Sequence, residues 1–91
     1  MTLRFASLGY SDLTGKQAVD QSIAFKRQVR SLLGSVDGAF LVISPDSGGR
    51  CQVKVAYDHE TPGAMEWMRQ AMETAPEIWV TLSERRKEVT V

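Results

Sequence analysis

Ala39-Phe40-Leu41-Val42-Ile43-Ser44, the turn-rich Pro45-Asp46-Ser47-Gly48-Gly49, and Arg50-Cys51-Gln52-Val53-Lys54-Val55-Ala56-Tyr57 form the stretch that decides the fold. The first segment is apolar on both faces. The last alternates, with Cys51, Val53, Val55 and Tyr57 on one side and Arg50, Gln52, Lys54 and Ala56 on the other. The segment between them has the length and residue types of a hairpin loop. The pattern predicts a β-hairpin with one face of its second strand turned to a core.

Upstream, Asp37-Gly38 is a turn signal, and from Lys16 to Leu33 the apolar positions repeat at helical spacing. Phe25, Val29, Leu32 and Val36 form one stripe, with Val19 and Ile23 beside it. Asp12 or Thr14 is placed to cap the start, and Gly34 to end the helix in a left-handed conformation. Lys26, Arg27 and Arg30 then lie near the helix's negative end. Before it, Leu3 to Leu8 reads as a strand.

Downstream, Thr61-Pro62 predicts a second helix start. Met65, Met68, Met72 and Ala75 share its buried face, and Pro76 is expected to stop it. Ile78-Trp79-Val80-Thr81-Leu82 is rich in β-formers and predicts a fourth strand. Val89-Thr90-Val91 is a candidate short fifth strand. The fold expectation is one α+β domain over residues 1–91, a ferredoxin-like βαββαβ plait. Its antiparallel sheet order is 4-1-3-2, with two helices on one face.

Composition narrows the function classes. With 43% apolar and 24% charged residues, the chain is neither disordered nor a disulfide scaffold. Eleven basic residues balance eleven acidic ones, so no overall field favours nucleic acid or anionic lipid. One cysteine and one histidine are too few for a Cys/His zinc site, and no cofactor is expected. The N-terminal residues lack a signal-peptide pattern and the longest uninterrupted apolar run is Ala39 to Ile43, so a cytoplasmic, non-membrane protein is expected.

Helices on one side of the sheet leave its other face open. The expected outward set is Arg4, Ala6 and Leu8 from the first strand, Arg50, Gln52 and Lys54 from the third, and Trp79 and Thr81 from the fourth. The second strand turns out either Phe40 and Val42 or Leu41 and Ile43. Trp79, Leu41, Ile43, Arg4, Arg50 and Lys54 are therefore the candidate interface residues. A contiguous apolar patch of this kind marks an interface.

Other constellations are weaker. Gly9-Tyr10-Ser11-Asp12-Leu13-Thr14-Gly15-Lys16-Gln17 lies between strand and helix like a phosphate loop. Its glycines have five residues between them instead of four, and Gln17 stands where a magnesium-binding hydroxyl belongs. Gly9, Asp12, Gly15 and Lys16 remain a candidate anion or ligand loop. Asp58-His59-Glu60 reads as a solvated turn, and Cys51 as a buried small hydrophobe rather than a nucleophile for His59. Trp67 lies off the methionine stripe and is expected to be half exposed. RNA binding on such a sheet needs outward aromatics on the central strands, which the third strand lacks. The sequence points to a small non-catalytic protein-interaction domain, self-associating as a homodimer or with a protein partner through the open face. The runner-up is a ligand- or nucleic-acid-binding module using the Gly9–Lys16 loop or the Arg4, Arg50, Lys54 and Trp79 surface.

Overall fold

The computed structural model describes residues 2–89, with side chains through Arg85. Five elements follow in order: β1 (Leu3–Tyr10), α1 (Gly15–Leu33), β2 (Ala39–Pro45), β3 (Cys51–Asp58) and α2 (Pro62–Val89). The three strands form an antiparallel sheet in the order β1-β3-β2. β1 and β2 thus run in the same direction on either side of β3, and α1 is the crossover between them. The α+β class and the hairpin are as expected. The four-stranded order 4-1-3-2 is not found.

The difference lies in Ile78 to Leu82, which is helical rather than a fourth strand. α2 continues through Pro76 to Val89, so Val89 is helical too, while Thr90 and Val91 lie outside the described residues. A proline inside a helix costs about 3 kcal/mol through its missing N–H and its clash with the preceding turn. Burial of the residues beyond it offsets that cost, at about 1.5–3 kcal/mol per large apolar side chain. Ile78 is buried and Leu82 packs on the core. Trp79 stacks on Phe25 of α1, with ring centroids 4.1 Å apart and planes 19° from parallel. Its indole N–H also donates to the Leu8 carbonyl of β1 at 2.7 Å. Tertiary anchoring overrides the local preference for strand.

Both helices lie on one face of the sheet, α1 over β2 and β3, and α2 across all three strands. The core joins Phe25 and Val29 of α1 to Leu8, Leu41, Val53 and Val55 of the sheet and to Trp67, Met68, Ala71, Ala75 and Ile78 of α2. The α2 stripe therefore runs through Ala64, Met68, Ala71 and Ala75, leaving Met72 exposed. Trp67, expected half exposed, is buried, and its indole donates to the Gly34 carbonyl at the end of α1, 3.2 Å away. On α1, Leu32 is exposed instead of buried, and Ser22 occupies the core-facing turn between Ala18 and Phe25. Ser22 tolerates burial because its hydroxyl donates to the Ala18 carbonyl at 2.8 Å.

The ends of α1 are held by other segments. Thr14 sits at the N-cap without a side-chain capping bond. The Gly15 N–H instead donates to the Gly49 carbonyl of the hairpin turn at 2.7 Å. Gly34 closes the helix with φ +70°, and its N–H donates to the Arg30 carbonyl at 2.8 Å. Gly9 has φ +109°, and a methyl group there would lie 2.7 Å from Trp79 Nε1. Gly9→Ala is expected to lower the unfolding free energy by about 1–3 kcal/mol, combining backbone strain with loss of the Trp79 contact. A urea midpoint equal to that of the parent protein would show that Trp79 does not need this close approach.

Candidate functional site

Opposed residues in an antiparallel pair share a face, so the register assigns every strand side chain. β3 turns Cys51, Val53 and Val55 into the core, as the alternation predicts. Leu41 opposes Val55 and Ile43 opposes Val53, so Leu41 and Ile43 point inward and do not belong to the open face. Ala6 also opposes Val55, placing Arg4, Ala6 and Leu8 on the helix side of β1. The expected orientations of β1 are thus reversed, and Trp79 is removed from the open face by its place in α2.

Three rows cross the open face. Phe5, Ala56 and Phe40 are in register, followed by Ser7, Lys54 and Val42, and then Tyr10, Gln52 and Ser44. β1 reaches the last row through an irregularity between Ser7 and Tyr10 that inserts one extra residue. The first row is apolar. Phe5 is 61% and Phe40 51% exposed, whereas Ala56 between them is fully buried although no helix covers it. Leu3 extends this patch at the start of β1.

The far end of the face is polar. Gln52 Nε2 donates to the Ser7 hydroxyl at 2.6 Å, and the Arg50 guanidinium lies over the Tyr10 ring, 5.1 Å from its centroid. Of the proposed cationic surface, Lys54 and Arg50 therefore flank the open face, while Arg4 and Trp79 lie on the helix side. These four residues do not form one surface.

The Gly9–Lys16 loop is occupied by the protein's own contacts. Gly9 lies against Trp79, and the Gly15 N–H is bound to Gly49. The Asp12 carboxylate accepts from Gln21 Nε2 at 3.0 Å and from the Ser83 hydroxyl at 3.5 Å. Buried Ser11 donates its hydroxyl to Gln21 Oε1, and its N–H donates to the Cys51 carbonyl at 2.9 Å. This polar seam ties the end of β1 to both helices. Lys16 stays exposed beside it.

Cys51 and His59 are not brought together. Cys51 is buried at one end of β3, while His59 follows the other end, its Nδ1 3.3 Å from the Thr2 carbonyl. Four surface recesses each carry a single charged side chain: Glu77 lines two of them, and Asp20 and Arg30 one each. Among the described residues there is no cluster of three metal-binding side chains, and no helix is long and apolar enough to cross a membrane. Compared with family models, curated proteins and solved structures, the chain matches none.

Phe5, Phe40, Val42 and Ala56 are the face residues that the sequence reading did not single out as a set. The signal was in the hairpin, since inward Val53 and Val55 require inward Ile43 and Leu41 once the turn sets the register. At the apolar end of the sheet, Asp58 accepts the Glu60 N–H at 3.0 Å and the Thr61 hydroxyl at 2.9 Å. The Glu60 bond first, then the Thr61 bond, holds its carboxyl below the ordinary value of 3.8. A lowered folded-state pKa gives stability that is complete above the unfolded-state value and lost as pH falls through the folded one. Acidification below about pH 4 is therefore expected to weaken the parent protein more steeply than Asp58→Asn, as read by urea unfolding. Parallel pH profiles would remove Asp58 as the cause.

Proposed function

We propose that this protein is a small non-catalytic interaction domain that self-associates through the open sheet face, with Phe5 and Phe40 at the centre of the contact. The carrying observation is the in-register row of two highly exposed phenylalanines around a fully covered alanine. An aromatic side chain presents about 150–250 Å². Apposing two copies would remove on the order of 400 Å² of phenylalanine surface from water, a gain of about 10 kcal/mol. That is comparable with the roughly 4–15 kcal/mol cost of association, so the contact suits a reversible dimer.

A second copy is the occupant this surface fits best. The Phe5, Ala56 and Phe40 row carries no charge that a different partner would have to match. Facing copies related by a two-fold axis apply the same patch to itself. The placement of buried Cys51 and of His59 at opposite ends of β3 supports the non-catalytic reading.

A second reading has one observation in its favour. Phe5, Phe40 and Tyr10 share the open face with Lys54 and Arg50, a combination of stacking surfaces and cations that suits single-stranded nucleic acid. Salt separates the two readings, because polyanion binding weakens steeply with salt whereas an apolar dimer hardly responds.

In about 1 M salt, where charges act over about 3 Å, light scattering coupled to size exclusion is expected to show a dimer at high micromolar concentration, with Phe5→Glu and Phe40→Glu each shifting it to monomer. Both positions are exposed, so neither substitution should disturb the core. A parent protein that stays monomeric at those concentrations, or variants that remain dimeric, would overturn the proposal.

A further inference from the structure

The outer surface of the helix layer is sorted by charge. α1 carries Lys16, Lys26, Arg27 and Arg30 against the single carboxylate Asp20. From Glu66 to Glu77, α2 carries Glu66, Glu73 and Glu77 against Arg69 alone. The helices pack side by side, yet among the described residues the one ion pair is Arg69 with Glu66, 3.7 Å apart within α2. Among the described residues, no α1 cation reaches a glutamate of α2.

Each charged ridge also carries an apolar residue. Lys16, Asp20, Ile23, Arg27 and Arg30 recur at steps of three and four that return to one side of α1, three cations against one carboxylate, and Ile23 is 38% exposed. On α2, Glu66, Arg69, Glu73, Glu77 and Val80 do the same, three carboxylates against one cation, and Val80 is 56% exposed. Charges near helix ends often only complement the helix dipole. Arg30, in the last turn of α1, also serves that role, but Lys16 lies at the wrong end of α1 for it, and Glu73 and Glu77 are too far inside α2.

A two-fold axis lying between the helix layers of two apposed copies, along the helices, sets α1 of each copy over α2 of the other. A layer divided into one basic and one acidic ridge is complementary to itself under that operation, and the favourable contact occurs twice. We propose a second self-association surface, formed by the helix layer, in which the Arg27 and Arg30 ridge of one copy meets the Glu73 and Glu77 ridge of another. It faces away from Phe5 and does not depend on that contact, although Arg30 lines a recess that Phe40 also borders. Exposed ion pairs are individually weak, so this contact forms at low salt and dissolves as salt rises.

The test uses Phe5→Glu chains, which separate the helix layer from the open-face contact and leave Phe40, beside Arg30, unchanged. Sedimentation is expected to show dimer at about 0.01 M salt, where charges act over about 30 Å, and monomer at about 1 M, where they act over about 3 Å. In that background, Arg27→Glu/Arg30→Glu and Glu73→Arg/Glu77→Arg should each abolish the low-salt dimer. An equimolar mixture of the two charge-swapped chains should restore it. A monomer at both salt concentrations, or a mixture that stays monomeric, would overturn the proposal. So would sensitivity to the arginine substitutions alone, which would indicate a basic surface for a polyanion.

Discussion

The contact of Trp79 with Phe25 and Leu8 decides the rest of the architecture. It fastens the part of α2 beyond Pro76 onto α1 and β1 at once, by ring stacking and by an indole hydrogen bond to a backbone carbonyl. Holding that segment as helix leaves no fourth strand among the described residues to pair with β1. The sheet consequently ends at β1 on one side and at β2 on the other. The bond also satisfies a carbonyl at the end of an edge strand, where exposed backbone invites unwanted pairing. Gly9 is the local condition for it, because any side chain there would collide with the indole. Trp67 performs the matching task at the opposite end of α2, donating to the carbonyl that follows α1.

The two tryptophans turn one helix into a clamp across the sheet's inner face, and the outer face receives no such cover. Along that outer face the chemistry changes from the phenylalanine row to the Ser7 and Gln52 pair and then to Arg50 over Tyr10. The contrast argues that the apolar end is the part of this surface where association has most to gain. The loop before α1, by comparison, has its principal donors and acceptors engaged by Gly49, Gln21 and Ser83.

Much of the fold was legible in the sequence because its signals were local. The alternation from Cys51 to Tyr57, the glycine-rich turn, Gly34 at the end of α1 and Pro62 at the start of α2 each describe their own surroundings. The segment from Ile78 to Leu82 was not legible, because its β-branched and aromatic residues state a local preference that contacts with Phe25 and Leu8 override. β1 was misassigned for a different reason. Leu3 and Phe5 look as suited to a core as Ala6 and Leu8, and only pairing with β3 distinguishes the two sets. The open face was therefore foreseen with Arg50, Gln52 and Lys54 correctly on it, but its β1 residues and Trp79 were foreseen incorrectly. Phe40 and Val42 were one of two choices for β2, and the register selects them.

The sheet order also has a kinetic meaning. The β2–β3 ladder closes at Pro45 and Cys51 across a short turn, whereas β1 joins the sheet by pairing Leu3 with Asp58, most of the chain away. A growing chain thus makes its first strand well before that strand's only partner, and the strand must wait. The hairpin can assemble from neighbours, but the outer strand is seated only after α1 has crossed over and β3 has been made. The Leu8 carbonyl is engaged later still, when Trp79 emerges. β1 is consequently the last strand of the sheet to be secured.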